Sequence, residues 1–163
     1  YFIFDHVQSR INSFLGGISG TDTYQIDLSI KAFQNGGLLG KGPGQGILKE
    51  RIPDANTDFI FAVAGEELGL IFCLVIILII LSIIVRTLIN VLKVEDTYKI
   101  IAISGLICSF GLQCLINIFS SLGLIPTKGM TLPFVSYGGS SMISIAILFG
   151  FLLSLTNKKN EEL

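Results

Sequence analysis

Charged residues are scarce in this sequence: Asp, Glu, Lys and Arg make up 14% of its 163 residues, whereas soluble domains carry roughly a quarter. This shortage, together with 51% hydrophobic residues, excludes an ordinary soluble domain and indicates a membrane protein. Basic blocks are also absent, and the formal net charge is −1. We therefore expect no nucleic-acid partner.

Cysteine and histidine are rare as well. The three cysteines, Cys73, Cys108 and Cys114, fall inside apolar runs without metal-type spacing, which favours packed or lipid-facing thiols over a disulfide framework. His6 is the single histidine, and we interpret it as an interfacial residue rather than a ligand or base. The sequence opens at Tyr1 without a Met or a basic leader, so we expect a fragment whose targeting comes from its spans or from upstream sequence.

Long uncharged runs predict an all-α, polytopic helical membrane protein with three complete spans. The runs comprise residues 68–85 (preceded by the apolar residues 59–65), 100–127 and about 140–155. We predict the end of an earlier span and an extracytoplasmic loop in residues 1–57, the three-span region in 58–157 and a cytoplasmic tail in 158–163. Gln113 and Asn117, four residues apart in the second run, are expected to face other helices rather than lipid.

The segment before the first run combines an amphipathic helix with a glycine-rich stretch. Apolar residues at helical spacing, candidate N-caps at Thr21 and Asp22, and a stop at Gly36 predict a short helix whose apolar face lies on the membrane or on other helices. Residues 36–46 are too rich in glycine for regular structure and depart from the Walker pattern. The stretch alone therefore favours a structural turn over a phosphate cradle, although the cradle stays open.

The basic residues of the short loops predict the orientation. Lys and Arg flank the turn at 93–99 and the tail, whereas the connector at 126–139 carries only Lys128. Because cytoplasmic loops are enriched in basic residues, we place the turn and the tail in the cytoplasm. The glycine-rich stretch, Asp58 and the connector then share the outer face.

Acidic residues cluster where the long loop meets the first span, and carboxylates at a membrane edge favour a functional role because they cost free energy there. For Asp58 the residues leave two alternatives open, which are chemistry and capping of the following helix. If one helix ran on from Asp58, Glu66 would lie about 12 Å along its axis and ~80° around it, lining the same cavity, whereas Glu67 would face the opposite side. A structural ion pair is an equal alternative for both glutamates.

Three ordered motifs resemble the SEDS family (shape, elongation, division and sporulation; FtsW, RodA and SpoVE). They read G-G-L-L-G-K-G-x-G at 36–44, P-x-A-x-T-D-F-I-F-A-V at 53–63 followed by E-E-L-G at 66–69, and P-T-K-G-x-T-L-P-F-x-S-Y-G-G-S-S at 126–141. The resemblance covers nearly the whole chain but less than half of the family's usual polytopic protein. The last motif is similar to the division members of the family. Asp54 and Asn56 stand where the family commonly has Glu and His, which weakens any role for an imidazole beside Asp58.

The resemblance implies a peptidoglycan glycosyltransferase that polymerises lipid II into glycan strands on the outer face of the bacterial cytoplasmic membrane, in cell division. That chemistry needs a base near the acceptor hydroxyl and cations or amide donors at the leaving pyrophosphate. The resemblance assigns Asp58 to catalysis. It also implies a divalent cation (Mg or Mn), a class B penicillin-binding protein transpeptidase and other divisome membrane proteins as partners. No metal-ligand set is predicted from the residues, and the isolated chain is expected to be inactive.

Eight further residues are predicted to contact substrate: Lys41, Lys49, Glu66, Lys128, Ser136, Gly138, Gly139 and Ser140. Each has a structural alternative, such as headgroup contact for Lys128 or plain helix capping for the serine-glycine block, which otherwise offers amides to an anion. Two rival functions also stay open. A lipid II flippase would place its site near the membrane midplane, and a non-catalytic scaffold for the transpeptidase would not need Asp58.

Overall fold

Five α-helices make up the described part of the chain. The structure, a computed structural model, describes residues 21–156, with side chains from Tyr24 onward. The helices are α1 (Thr21–Gly36), α2 (Ile60–Glu67), α3 (Gly69–Val91), α4 (Thr97–Ser121) and α5 (Gly139–Thr156), with one 3-10 turn at Leu48–Glu50. Residues 21–156 contain no strand, so the all-α prediction is confirmed. The predictions for His6, the earlier span, the two N-caps and the tail fall outside the described residues and side chains.

The helices α3, α4 and α5 are long and apolar enough to cross a membrane, with 23, 25 and 18 residues. Their lengths of about 27 to 38 Å suit a hydrocarbon core of about 30 Å, and the three predicted spans are confirmed. The second span is shorter than predicted, because α4 ends at Ser121 instead of reaching Thr127. Gly123 takes a φ of +71° and the Leu124 N–H bonds back to the Phe119 carbonyl at 2.9 Å, which is a glycine-based helix stop.

A second glycine separates α2 from α3. Gly69 adopts a φ of +83°, a conformation that other residues rarely take. A Cβ atom at this position would lie 2.4 Å from the backbone nitrogen of Gly40, so the glycine-rich loop packs directly against the break. The condition under which Glu66 and Glu67 were placed, one helix running from Asp58 into the first span, is therefore not met.

The short helix α2 lies between two apolar clusters. Phe61 belongs to a cluster with residues of α3, α4 and α5, whereas Ala62 and Val63 belong to a cluster with α1 and the segment before α2. Eight residues are too few for a helix that is stable on its own. Packing on both sides therefore holds α2, and with it the Asp58 loop at its N-terminal end.

The predicted amphipathic helix is confirmed as α1. Its buried residues include Ile26, Leu28, Ser29 and Ala32, and the helix packs on α2 and α4. The Ser29 hydroxyl donates a hydrogen bond to the carbonyl of Ser121 at the end of α4. The apolar face of α1 thus lies on other helices, which was one of the two predicted placements.

The cysteines behave as predicted. Cys73 and Cys114 are buried, Cys108 is exposed on the surface of α4, and all three are free thiols. Packing and lipid contact therefore account for these residues, without a disulfide bond among them.

Candidate active site

A tight turn places Asp58 just before α2. Asp54 adopts a φ of 55°, and its carbonyl oxygen accepts the N–H groups of Thr57 and Asp58 at 3.1 and 3.0 Å. Aspartate tolerates this left-handed conformation better than most residues. The N-cap of α2 is Phe59, and no side chain caps the helix. The capping alternative for Asp58 is therefore wrong.

The carboxylate of Asp58 faces the connector between α4 and α5. A Cβ atom at Gly129 would lie 3.4 Å from Asp58 Oδ2, so the glycine of the P-T-K-G motif lies directly against the acid. Within residues 24–156 the hydrogen bonds to Asp58 use its backbone and leave the carboxylate without a donor. Burial raises the pKa of Asp58 above its usual value, and the charge of Asp54 raises it further. A half-buried carboxylate with these properties is a candidate proton acceptor.

Two amide side chains of α4 join the Asp58 loop to the connector. Asn117 donates to the carbonyl oxygen of Asp58 at 2.9 Å and also to the carbonyl oxygen of Met130. Gln113, one turn earlier on α4, donates to the carbonyl oxygen of Thr131 at 3.1 Å. Both amides were predicted to face other helices; they face protein, but their partners are loop carbonyls.

The second half of the connector is held by its own hydrogen bonds. Ser136 is buried; its hydroxyl accepts the Leu132 N–H at 2.7 Å, and its N–H donates to the Leu132 carbonyl at 2.9 Å. The Tyr137 N–H donates to the carbonyl of Asn56 at 3.0 Å, which ties the connector to the Asp58 loop a second time. In this structure Ser136 shapes the connector, and its contact with substrate stays a prediction.

An aromatic cluster anchors the connector to the spans. Phe134 has a φ of 63°, a conformation that costs a non-glycine residue on the order of 1–3 kcal/mol. Its ring lies 6.2 Å from that of Phe110 on α4 and 5.1 Å from that of Phe149 on α5, measured between centroids. This packing offsets the backbone strain and holds the connector over the ends of both helices.

The N-terminal end of α5 follows the connector directly. The Ser141 hydroxyl and the Met142 N–H both donate to the carbonyl of Gly138 at 3.0 Å, while Gly139 and Ser140 are exposed. The first turn of a helix has amides without intrahelical acceptors and the positive end of the helix dipole. Gly138, Gly139 and Ser140 therefore lie where an anion would be favoured, and their contact with substrate stays a prediction. The Ser141 hydroxyl donates to a carbonyl, so it does not cap the free amides of this turn.

The predicted site residues divide into two groups at opposite ends of α2. Asp58 and the connector, which carries the exposed Lys128, lie at the N-terminal end. Lys41, Lys49 and Glu66 lie at the C-terminal end, about 12 Å away along a helix of eight residues. The expectation that Glu66 lines the same cavity as Asp58 is therefore corrected.

Glu66 organises the glycine-rich loop instead. Its side chain is 0% exposed, and its carboxylate accepts the Asn35 side-chain amide at 2.7 Å and the N–H groups of Ile47 and Leu48 at 3.1 and 3.2 Å. The loop thus presents amides to a carboxylate of the same chain. This arrangement favours the structural-turn interpretation of the glycine-rich stretch, and substrate contact by Glu66 stays a prediction.

Glu67 forms a structural ion pair. Its carboxylate lies 2.7 Å from Lys49 Nζ and accepts the Gly44 N–H at 3.0 Å. The Gly44 amide is the main cause of a lowered pKa for Glu67, and the bond to Glu67 is the main cause of a raised pKa for Lys49. The ion-pair alternative is therefore confirmed for Glu67, and the charge of Lys49 is paired.

An open groove of about 460 Å³ separates the loop from the second half of α1. It is lined by Lys31, Gln34, Asn35, Lys41, Ile47 and Leu48. The groove has two lysines and no acidic side chain in its lining, so the predicted role of Lys41 in binding an anionic substrate would take place here, away from Asp58.

The described residues do not form a metal cage: no group of three or more Asp, Glu, His or Cys side chains converges in that part of the chain. Asp54 and Asp58 are close enough for one charge to raise the pKa of the other carboxyl. Proteins often hold Mg²⁺ with one or two carboxylates together with waters and substrate phosphates. The described residues therefore do not fit a site built from protein ligands alone.

Sequence reasoning missed the contributions of Asn117 and Asp54 to the site. The spacing of Asn117 from Gln113 signals a face turned toward protein, but local sequence does not identify the carbonyl of Asp58 as its partner. The left-handed turn at Asp54 has only a weak signal, which is the tolerance of aspartate for positive φ.

The chain is similar to a known family over nearly its whole length. The family model FTSW_RODA_SPOVE, described as "Cell cycle protein", matches residues 1–161. The chain is 46% identical over 159 residues to the "Probable peptidoglycan glycosyltransferase FtsW" of Caulobacter vibrioides, covering 98% of this chain and 40% of the relative. It is 36% identical over 159 residues to the "Peptidoglycan glycosyltransferase RodA" of Mycobacterium tuberculosis, covering 96% and 34%. The chain thus spans less than half the length of these curated relatives.

A solved structure has a similar fold. It comes from work described as "Structural coordination of polymerization and crosslinking by a peptidoglycan synthase complex", and it matches with a TM-score of 0.74 and 22% sequence identity. The match covers 95% of this chain and 43% of the solved one. At this identity the likeness supports the helical membrane fold and nothing finer.

Proposed function

This chain belongs to the FTSW_RODA_SPOVE family of cell cycle proteins, and from that premise we propose that it is part of a peptidoglycan glycosyltransferase that polymerises lipid II for septal wall synthesis. Its three spans and its family make it a multi-pass bacterial membrane protein. One observation carries the proposal for the reaction. The carboxylate of Asp58 is half-buried, has no hydrogen-bond donor among residues 24–156, and lies against Gly129 of the connector.

In the proposed reaction a sugar hydroxyl attacks the anomeric carbon of a lipid-linked sugar. Asp58 accepts the proton of that hydroxyl, the new glycosidic bond forms, and the bond to the undecaprenyl pyrophosphate breaks. Lys128 and the amides at Gly139 and Ser140 lie on the same side as Asp58 and would bind the leaving pyrophosphate. The raised pKa of Asp58 makes it a stronger base than an ordinary aspartate while it is ionised.

A divalent cation belongs to the proposal through the family alone, and no described residue is assigned to hold it. When bound, it would neutralise negative charge on the leaving pyrophosphate. The orientation is also proposed: Asp58 and the connector face the outside, and the C-terminal tail lies in the cytoplasm. This places the acid on the side where lipid-linked sugars would be joined.

The proposed partners are lipid II as substrate, a class B penicillin-binding protein and other divisome membrane proteins. The solved structure with the same fold is described as part of a complex for polymerization and crosslinking, which supports a transpeptidase partner here. We further propose that these 163 residues are inactive alone, because three spans cannot enclose both a prenyl chain and a disaccharide.

The test is Asp58→Asn in the full-length protein with its partner, assayed for glycan strands from purified lipid II. The substitution keeps the shape of the side chain and removes the proton acceptor, so we expect insertion and partner binding to persist and polymerisation to fall below detection. The variant should not be less stable at neutral pH. The folded-state pKa of Asp58 is raised, so its ionised form is disfavoured by folding, and this cost disappears as the pH falls through the pKa.

Asp54→Asn is the matched control, since asparagine also tolerates a positive φ. Because Asp54 helps to raise the pKa of Asp58, we expect activity to persist and the acid limb of the pH–rate profile to move to lower pH. Polymerisation by Asp58→Asn at the wild-type rate would reject catalysis by this residue and favour the scaffold. Loss of lipid transport without loss of polymerisation would favour the flippase.

A further inference from the structure

We propose that Asn117 is a positioning residue for the reaction, because its single amide group holds the loop of the base and the connector that carries Lys128 in one arrangement. This inference rests on the proposed function, since it assumes that Asp58 is the base. Asn117 is 1% exposed and does not need to touch substrate to act.

The amide of Asn117 has two acceptors from different loops. Its Nδ2 donates to the carbonyl of Asp58 at 2.9 Å and to the carbonyl of Met130, which is the residue after Gly129. The two hydrogens of one amide group are thus shared between the segment of the base and the segment opposite it. Any relative movement of the two loops lengthens at least one of these bonds.

The orientation of the amide cannot reverse. Asn117 Oδ1 is buried and has no partner among the described residues. Rotating the amide by half a turn would place this oxygen against the carbonyl oxygens of Asp58 and Met130, so both carbonyls would lose their donor. An amide flip therefore cannot replace the lost bonds, unlike at a site with mixed donors and acceptors.

The helix that carries Asn117 supplies a rigid base. Neighbouring residues of α4, among them Phe110, Cys114 and Ile118, are buried in the apolar cluster between the spans. Gln113 adds a parallel bond to the carbonyl of Thr131 at 3.1 Å. The connector is thus fixed to α4 at two successive residues, whereas the Asp58 loop is fixed to α4 by Asn117.

Removing the side-chain amide of Asn117 should let the Asp58 loop move while leaving the Asp58 carboxylate in place on that loop. The carbonyls of Asp58 and Met130 would lose a donor, and the two loops would separate to admit water. A misplacement of about 1 Å can lower a rate roughly 100-fold. Water would also reduce the burial of the Asp58 carboxylate, which is the main cause of its raised pKa.

The charges around Asp58 determine how hydration of its carboxylate would change its pKa, and with it the pH dependence of the rate. Asp54 on the same loop is the charged neighbour that raises the pKa. The connector contributes Gly129 against the carboxylate, with the exposed Lys128 next to it in the chain, and α4 contributes the uncharged Asn117 and Gln113 to the surrounding loops. Hydration of Asp58 should therefore lower its pKa toward the usual value, so the base would stay ionised to lower pH.

The experiment uses Asn117→Leu in the full-length protein with its partner and purified lipid II. Leucine has a similar volume and no donor. We expect kcat to fall roughly 10- to 100-fold, KM to change by less than about threefold, and the acid limb of the pH–rate profile to move to lower pH. Asn90→Leu makes the same chemical change near the far end of α3 and is expected to leave all three quantities unchanged.

Gln113→Leu provides a second, milder variant in case Asn117→Leu does not accumulate. It removes the parallel bond, so we expect a smaller fall in kcat and a shift of the acid limb in the same direction. A plain folding defect would lower the amount of active protein while leaving KM and the acid limb in place, and that result would overturn the inference. A wild-type kcat in the folded Asn117→Leu protein would overturn the inference too. If only Gln113→Leu accumulates, a wild-type kcat in that variant would have the same meaning. In either case an inactive Asp58→Asn would leave the proposed function intact. An active Asp58→Asn would reject both.

Discussion

Replacing Glu66 by alanine tests the interpretation of the glycine-rich loop as a structural unit. Three donors lose their acceptor in this variant: the Asn35 side chain and the N–H groups of Ile47 and Leu48. A buried donor without a partner costs about 1–3 kcal/mol. Asn35 and Ile47 are exposed and can turn to water, and the cost of burying a charge disappears. We therefore expect about 1 kcal/mol for each of the three donors, so that the free energy of unfolding falls by about 3 kcal/mol.

Glu66→Gln separates the hydrogen bonds from the charge. Glutamine keeps an oxygen that can accept the N–H groups of Ile47 and Leu48, and the Asn35 amide can rotate to present its oxygen to the new NH₂ group. We expect the free energy of unfolding to fall by about 1 kcal/mol or less. Glu67→Ala removes the ion pair with the half-buried Lys49 and the acceptor of the Gly44 N–H. It should cost less than Glu66→Ala, because partly exposed ion pairs contribute little and the exposed Gly44 amide can turn to water.

The assay is the apparent free energy of unfolding of the full-length protein in detergent, combined with hydrogen exchange of the peptide that covers residues 41–50. Glu66→Ala should accelerate exchange in this peptide, and Glu66→Gln should not. Equal stability of the alanine variant and the wild type would refute the structural reasoning. A glutamine variant that folds normally but makes no glycan would instead support the predicted contact between Glu66 and substrate.

Two further predictions concern the loop and its orientation. Gly69→Ala should lower the free energy of unfolding by about 2 kcal/mol or more, since φ is +83° and the new Cβ would lie 2.4 Å from the Gly40 nitrogen. At Gly105 a new Cβ would meet nothing within 4 Å. Gly105→Ala should therefore raise the free energy of unfolding, measured by heat or denaturant, by about 0.5–1 kcal/mol. Gln45→Cys, at an exposed loop position, should react with an impermeant thiol reagent in intact cells, and reaction only after lysis would invert the proposed orientation.

Some features of this chain depend on neighbouring residues, and others depend on contacts between distant segments. The three spans were predictable because hydropathy over some twenty residues is sufficient to indicate a membrane helix. The helix α1 was predictable for a related reason, since its apolar spacing and the glycine after it lie within one segment. Local sequence did not predict the break at Gly69, because a glycine within an apolar region is compatible with the interior of a helix as well as with a break between two helices.

The candidate site was only half predictable. The motif resemblance identified Asp58 and the connector, and the structure brings Asp58 and Gly129 together. Lys41, Lys49 and Glu66 were also predicted to contact substrate, Glu66 from helix geometry, whereas the structure places all three at the other end of α2 from Asp58. Motifs name residues without giving the distances between them.

By itself the sequence determined the class of the protein, the three spans within residues 21–156 and the acid just before the first of them, because each depends on residues that are neighbours in the chain. Only the tertiary structure decided which carboxylate is enclosed by hydrogen-bond donors. Glu66 is enclosed because a loop about twenty residues earlier returns to it. The Asp58 carboxylate has no donor among residues 24–156 and lies against a glycine of the connector after α4. Such contacts join segments that are far apart in sequence, and their hydrogen bonds and burial arise only when the chain folds.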